Sequence, residues 1–354
     1  MTQKSSKSSD FWIFFKSFFS FYKLTQERRK NAEKPKDIRT WLIHGVSEFI
    51  GTIFIALSLA GLSLYIGKES SKNFTPIIIE DYLLHPILVG FYAGFVVVAL
   101  CLFIFLRWSC DLNPAVSFMR YLNGTNNGYY TTYKILIQAL GGVVAGAIIF
   151  AVGSVTAPEL NGVKILPNAP IDAISAAKKA FPLTTTPTIA SGTAWIFFVE
   201  LVMTSILLFP IFSPNINNKY RDLFIMFVIS MSVWMGLLGG SAAINPARGL
   251  SQQLPALFVG PTSESIKAHV NLAKFATLVN TGNGDIVQAS TTLYYSIIAG
   301  TVIMIIADFL APVFYLFVQG ITQSLINPLI VKIIAYKNFK SQFMTKPADL
   351  EKDK

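Results

Sequence analysis

Two stretches decide how this chain folds: Asp111-Leu112-Asn113-Pro114-Ala115-Val116-Ser117-Phe118-Met119-Arg120-Tyr121-Leu122, and Ala243-Ile244-Asn245-Pro246-Ala247-Arg248-Gly249-Leu250-Ser251-Gln252-Gln253-Leu254. Proline suits the first turn of a helix, where its missing amide hydrogen has no partner to lose, and asparagine is among the best caps for that turn. Each stretch therefore reads as a helix opening at its Asn-Pro-Ala. The runs Ala115 to Leu122 and Ala247 to Leu254 are too short to cross a hydrocarbon layer, which takes roughly 20 apolar residues. Within a membrane they reach from the midplane to one surface, and irregular backbone at that depth is tolerated only where it lines a cavity.

The rest of the chain points to a bilayer. Of 354 residues 53% are hydrophobic and only 14% charged, against about 25% charged in soluble domains. Six apolar stretches reach spanning length: Trp41 to Ile66, Leu84 to Leu106, Tyr133 to Val155, Thr193 to Phe212, Leu223 to Leu238, and Leu293 to Val318. Six crossings put both tails on one side. Ten Lys or Arg lie up to Arg39 and six beyond Val318. With the tails cytoplasmic, the inner loops add Arg107, Arg120, Lys134, Lys219 and Arg221, which satisfies the positive-inside rule for a multi-pass protein of the cell membrane. The net charge of +10 thus sits in the tails and reads as topology, not as a nucleic-acid surface. Two cysteines, Cys101 and Cys110, make no disulfide framework, and no metal or cofactor site is implied.

The chain divides into a basic tail (1–40), a membrane domain (41–318) whose repeat halves lie at about 41–155 and 192–318, and a second tail (319–354). In the first tail Phe11, Phe14, Phe15, Phe18, Phe19 and Tyr22 share one helical face, the pattern of an interfacial helix, with a disordered tail as the alternative. The connections Ser154 to Ser191 and Ser251 to Thr292 are long enough to shape an outer vestibule or to be plain linker.

The halves echo each other. Glu48 precedes Thr52 by four residues in the first crossing, Glu200 precedes Thr204 in the fourth, and each half then reaches its Asn-Pro-Ala after one further crossing. Three crossings per half invert the second copy, an arrangement that places the functional site near the midplane. A bare carboxylate inside an apolar helix is costly, so Glu48 and Glu200 need partners. They either relay protons or accept hydrogen bonds from the amides of the two non-helical loops, and their matched placement favours the second role.

Two half-helices entering from opposite faces point their N-termini at each other, each carrying about half a positive charge. That opposes cations and hydronium, while the carboxamides of Asn113 and Asn245 can donate to a neutral solute's oxygen. Arg248, one turn beyond Asn245, either lines a watery path or is ion-paired in the core.

These elements resemble the major intrinsic protein family, the aquaporins and aquaglyceroporins: Leu112-Asn113-Pro114-Ala115-Val116, Ile244-Asn245-Pro246-Ala247-Arg248, the helices of Glu48 and Glu200, and the six-crossing order, over roughly residues 41–318. The resemblance implies an all-α membrane fold of six transmembrane helices plus two re-entrant half-helices, a homotetramer with one pore per subunit, and passive flow. By the family's offsets a selectivity filter is implied at Ala93, Val233, Ala242 and Arg248. Water-selective members hold Phe and His at two of these places, and none of His44, His85 and His269 lies near Val233. Small apolar residues favour a wider filter for glycerol and similar polyols together with water. A water-selective aquaporin is the alternative, because Tyr92 and Trp234 adjoin the counted places.

Asp111 stands where the family has His, and it either pairs with Arg107 at the inner mouth or attracts cations there without passing them. Asp308, inside the last crossing, reads as a buried hydrogen-bonding group or as a sign of proton coupling. An ion-coupled transporter would need an acidic pair beside a break, and an intramembrane hydrolase a base beside Ser109 or Ser241. Neither is present, so no catalytic residue is assigned.

Overall fold

The computed structural model describes residues 12, 30–68, 75–83, 85–160, 163–183, 186–260, 264–267 and 286–344. The aromatic stretch Phe11 to Tyr22 lies outside these residues except for Trp12, as does most of the connection from residue 260 to 286.

Among the described residues, six helices are long and apolar enough to cross a membrane. In chain order, α1 spans Ile38–Ala60 and α2 runs from Pro86 to Phe105. The half-helix α3 spans Pro114–Leu122 and α4 spans Gly128–Thr156. A short helix, α5 (Ala173–Ala180), leads into α6 (Ile189–Phe212) and α7 (Asn218–Gly239). The second half-helix, α8, spans Pro246–Val259, and α9 spans Ile286–Ile321. After one wide π turn the helix resumes as α10 (Asn327–Met344).

The sequence explains most of the boundaries. Asp37 caps α1 by accepting from Thr40 N at 2.9 Å, and Thr188 with Ser191 forms a capping box on α6. Pro86, Pro114 and Pro246 each occupy a first turn. Outward-facing side chains such as Phe103, Leu136 and Val155 are exposed along the crossings, which fits a lipid-facing surface rather than a solvated one.

Three boundaries differ from the sequence reading. The first crossing stops at Ala60, because the chain turns into strand β1 (Tyr65–Lys68), which pairs antiparallel with β2 (Thr75–Ile78). The π turn at Tyr92–Val98 interrupts α2 and rotates everything before it relative to a regular helix. The last crossing does not stop at Val318 but continues through Met344, with residues 325–326 and 328–341 exposed. At 1.5 Å per residue that continuous rod is roughly three times longer than the hydrocarbon layer is thick.

Packing follows the repeat. Helix α1 lies along α4 in one half and α6 along α9 in the other, while α8 leans on α4 and α3 on α9, so each half-helix is wedged against the opposite half. Close approach requires Gly142: a Cβ there would sit 2.5 Å from the carbonyl oxygen of Ala247.

Candidate functional site

The site grows from the two breaks. Asn113 and Asn245 have extended backbones, and their side-chain oxygens cap the half-helices, accepting from Ala115 N at 2.9 Å and Ala247 N at 3.0 Å. Each carboxamide nitrogen then reaches the other half: Asn113 Nδ2 donates to the carbonyl of Ile244 at 2.9 Å, and Asn245 Nδ2 to that of Leu112 at 2.7 Å. The carbonyls are aimed by left-handed backbone at Leu112 (φ 49°) and Ile244 (φ 46°), the two positive-φ residues other than glycine among those described. Such a conformation costs a branched residue about 1–2 kcal/mol. A primary amide has two N–H donors, so one hydrogen of each remains for a solute. Pro114, Ala115, Pro246 and Ala247 form the buried first turns behind these caps.

Glu48 and Glu200 are fully buried and hold the breaks from behind. Glu48 accepts from Asp111 N (3.0 Å), Leu112 N (2.8 Å) and Ser109 Oγ (2.5 Å). Glu200 accepts from Ala243 N (2.9 Å), Ile244 N (2.8 Å) and Ser241 Oγ. Ser109 and Ser241, four residues before their respective asparagines, thus stand in matching roles as donors to carboxylates. From sequence alone they offer themselves only as nucleophiles.

The halves differ in how the carboxylate is neutralised. Lys134, counted as a loop charge in the sequence, is buried in α4, 3.0 Å from Glu48 and 2.5 Å from Asp111. Asp111 pairs with Lys134 and, at 2.7 Å, with Arg120, not with Arg107. Gln138 completes the cluster by donating to Glu48 at 2.8 Å. Around Glu200 no cation comes within ion-pair distance among the described residues; a second buried acid, Asp308, instead accepts from Thr204 Oγ1 at 2.5 Å.

Cavities lie on both sides of the breaks. On the face that carries the tails, a chamber of about 190 Å³ has apolar walls from Ile55, Leu59, Val98, Leu207 and Ile229, with Asn113 and Asn245 on its polar side. On the opposite face, a chamber of about 220 Å³ is lined by Glu80, Asp172, Lys179, Ala242 and Arg248. Leu59 and Arg248 line both, which marks the narrowing between them. Arg248 Nη1 donates to the carbonyl of Ala242 at 3.3 Å, and its Nε has no partner among the described residues. Of the four filter positions, Ala242 and Arg248 border this narrowing. Ala93 and Val233 border neither chamber and pack in the apolar cluster that contains Leu59 and Ile244.

The long connection after α4 is not free linker where it is described. Asn168 Nδ2 donates to Ser63 Oγ at 2.9 Å and to the carbonyl of Gln252 at 2.8 Å. Ile171 exchanges two hydrogen bonds with the Gln253 side chain. These bonds fasten Ala169, Pro170, Ile171 and Asp172 to α8 as a chamber wall. Isolated Asn and Gln in a sequence carry no signal of that role.

In overall shape the chain is similar to a solved aquaglyceroporin from Plasmodium falciparum, with a TM-score of 0.45 and 17% identity over 82% of this chain and 98% of that one. No curated protein matches it. The sequence pattern of the family described as "Major intrinsic protein" matches residues 36–260, through both Asn-Pro-Ala segments and both glutamate-bearing helices. By that match the chain belongs to the major intrinsic protein family and is a membrane channel for small solutes.

Proposed function

We propose that this channel passes glycerol and related polyols together with water, and excludes ions and protons. The observation that carries the reading is the two-sided chamber at the breaks: aliphatic side chains from Ile55, Leu59, Val98, Leu207 and Ile229 face the carboxamides of Asn113 and Asn245. A polyol has the same two-sidedness, with a carbon backbone for the apolar wall and hydroxyls for the donors. Ala242 beside Arg248 adds no bulk at the narrowing, and a channel that admits only water needs bulk there. The converging half-helix N-termini and Arg248 supply a positive potential that opposes cations.

The charge distribution supports a cytoplasmic location for both tails, and residence in the cell membrane is part of the proposal. A homotetramer of the 39.0 kDa protomer is part of the same proposal. Stopped-flow light scattering on proteoliposomes tests the solute: an inward glycerol gradient should give shrinkage followed by reswelling, whereas an equal gradient of sucrose gives shrinkage alone. Rapid water flow with no reswelling in glycerol would make this a water-selective channel. Dissipation of an imposed ion gradient during glycerol uptake would point instead to a coupled transporter.

A further inference from the structure

The chamber on the face opposite the tails differs in character from the apolar one at the breaks. It is bordered by two acids, Glu80 and Asp172, and two bases, Lys179 and Arg248. Three of the four are committed to the protein. Asp172 caps α5 by accepting from Ser175 N at 2.8 Å and also accepts from Ser296 Oγ at 3.1 Å. Lys179 Nζ donates to the carbonyl of Leu237 at 2.5 Å, and Arg248 holds the carbonyl of Ala242.

Glu80 is the exception. It is half-buried, borders the same chamber as Arg248, and has no hydrogen-bond or ion-pair partner among the described residues. Its position is fixed by a built support. Strands β1 and β2 deliver a short 3-10 turn, Ile79–Leu83, whose first amide donates to the carbonyl of Leu64 at 3.1 Å. Tyr65 N donates to the carbonyl of Pro167 at 3.1 Å, and buried Tyr65 packs with Ala157 and Ile165. A half-buried carboxylate that the protein itself leaves unpaired keeps its acceptor sites for whatever fills the chamber, water or a solute hydroxyl.

We propose that Glu80 is a specificity-determining residue of the outer mouth, where its carboxylate accepts hydroxyl hydrogens of a polyol whose oxygens are met by the free N–H groups of Arg248. The proposal rests on the polyol reading above and names the residue that favours polyols over water before the narrowing. A solute with adjacent hydroxyls engages donor and acceptor together and sheds part of its hydration there, whereas a water molecule gains nothing comparable. One unpaired carboxylate is strong enough to dock the solute and weak enough to release it, the condition for conduction.

Protonation abolishes the acceptor. Burial pushes the Glu80 carboxyl above its ordinary range, Asp81 adds to the rise, and Arg248 and Lys179 pull it back. Asp172 is the other acid of the chamber. Acidification therefore mimics the loss of the charge at a pH above that of a free glutamate.

The test compares full-length wild type, Glu80→Gln and Glu80→Asp in proteoliposomes, reading the ratio of glycerol to water permeability at about pH 7.5 and about pH 5. Glu80→Gln should lower the ratio about three- to tenfold at the higher pH, and Glu80→Asp should retain most of it. Acidification should lower the ratio in wild type and not in Glu80→Gln. An unchanged ratio in Glu80→Gln, an equal loss in Glu80→Asp, or equal acid sensitivity in wild type and Glu80→Gln would each overturn the role of Glu80 while leaving glycerol conduction intact. Wild-type vesicles that exclude glycerol would overturn the polyol reading and this proposal with it.

Discussion

Lys134 shows how much one residue can hold in this protein. Its ammonium is buried between Glu48 and Asp111, so replacing it leaves two acids to share what Arg120 and neutral donors provide. Removing one partner of a buried ion cluster typically costs about 3–5 kcal/mol. Lys134→Met should therefore lower the thermal midpoint in detergent markedly, and adding Asp111→Asn should recover part of the loss, a coupling that a double-mutant cycle reads directly. Glu200 predicts a graded series. Glu200→Gln keeps one acceptor oxygen for the amides of Ala243 and Ile244, while Glu200→Ala orphans both, at about 1–3 kcal/mol for each buried donor. The yield of monodisperse protein on size exclusion should fall from wild type to Gln to Ala. These roles were unevenly legible. The glutamates stood out because a carboxylate in an apolar run demands an explanation; Lys134 lies near a crossing's end and reads as an ordinary loop charge; Leu112 and Ile244 look like core residues and give no hint of left-handed backbone.

At the scale of elements, helix–helix spacing is set by backbone contact. Gly142 of α4 lies against the carbonyl of Ala247, the second residue of α8, and that carbonyl cannot swing aside as a side-chain end could. Gly142→Ala should cost about 1–3 kcal/mol by overpacking, and displacement of the half-helix should reduce solute flux more than protein yield, measured by swelling rates normalised to reconstituted protein. Element existence was readable from hydropathy and Asn-Pro starts, since spanning length and capping chemistry are local. The π turn in α2 and the hairpin that cuts α1 short were not, because both depend on what the chain packs against. A filter counted without gaps runs through that π turn, which is where Ala93 leaves the wall of both chambers.

For the whole molecule, the inverted repeat makes the electrostatics a shared property. Both half-helix N-termini and Arg248 contribute to one positive region, so under the proposed exclusion of ions, loss of Arg248 should weaken the barrier without removing it. Arg248→Ala proteoliposomes should admit methylammonium measurably faster than wild type, while remaining far less permeable to it than to a neutral solute of similar size; isotope uptake gives both rates. The inverted architecture itself was legible from the paired motifs at matching offsets, whereas the asymmetric neutralisation of Glu48 and Glu200 was not, because it depends on a lysine with no counterpart in the other half.

Each asparagine at the breaks satisfies a carbonyl that belongs to the other half of the chain. Neither half can finish its own centre: inserted alone, the first would leave the Leu112 oxygen bare in a water-poor interior, and the second would leave that of Ile244. The two therefore interlock like clasped hands, and the centre closes only when both halves are in place. Fragments severed between α5 and α6 should remain protease-sensitive when made singly and become resistant when made together.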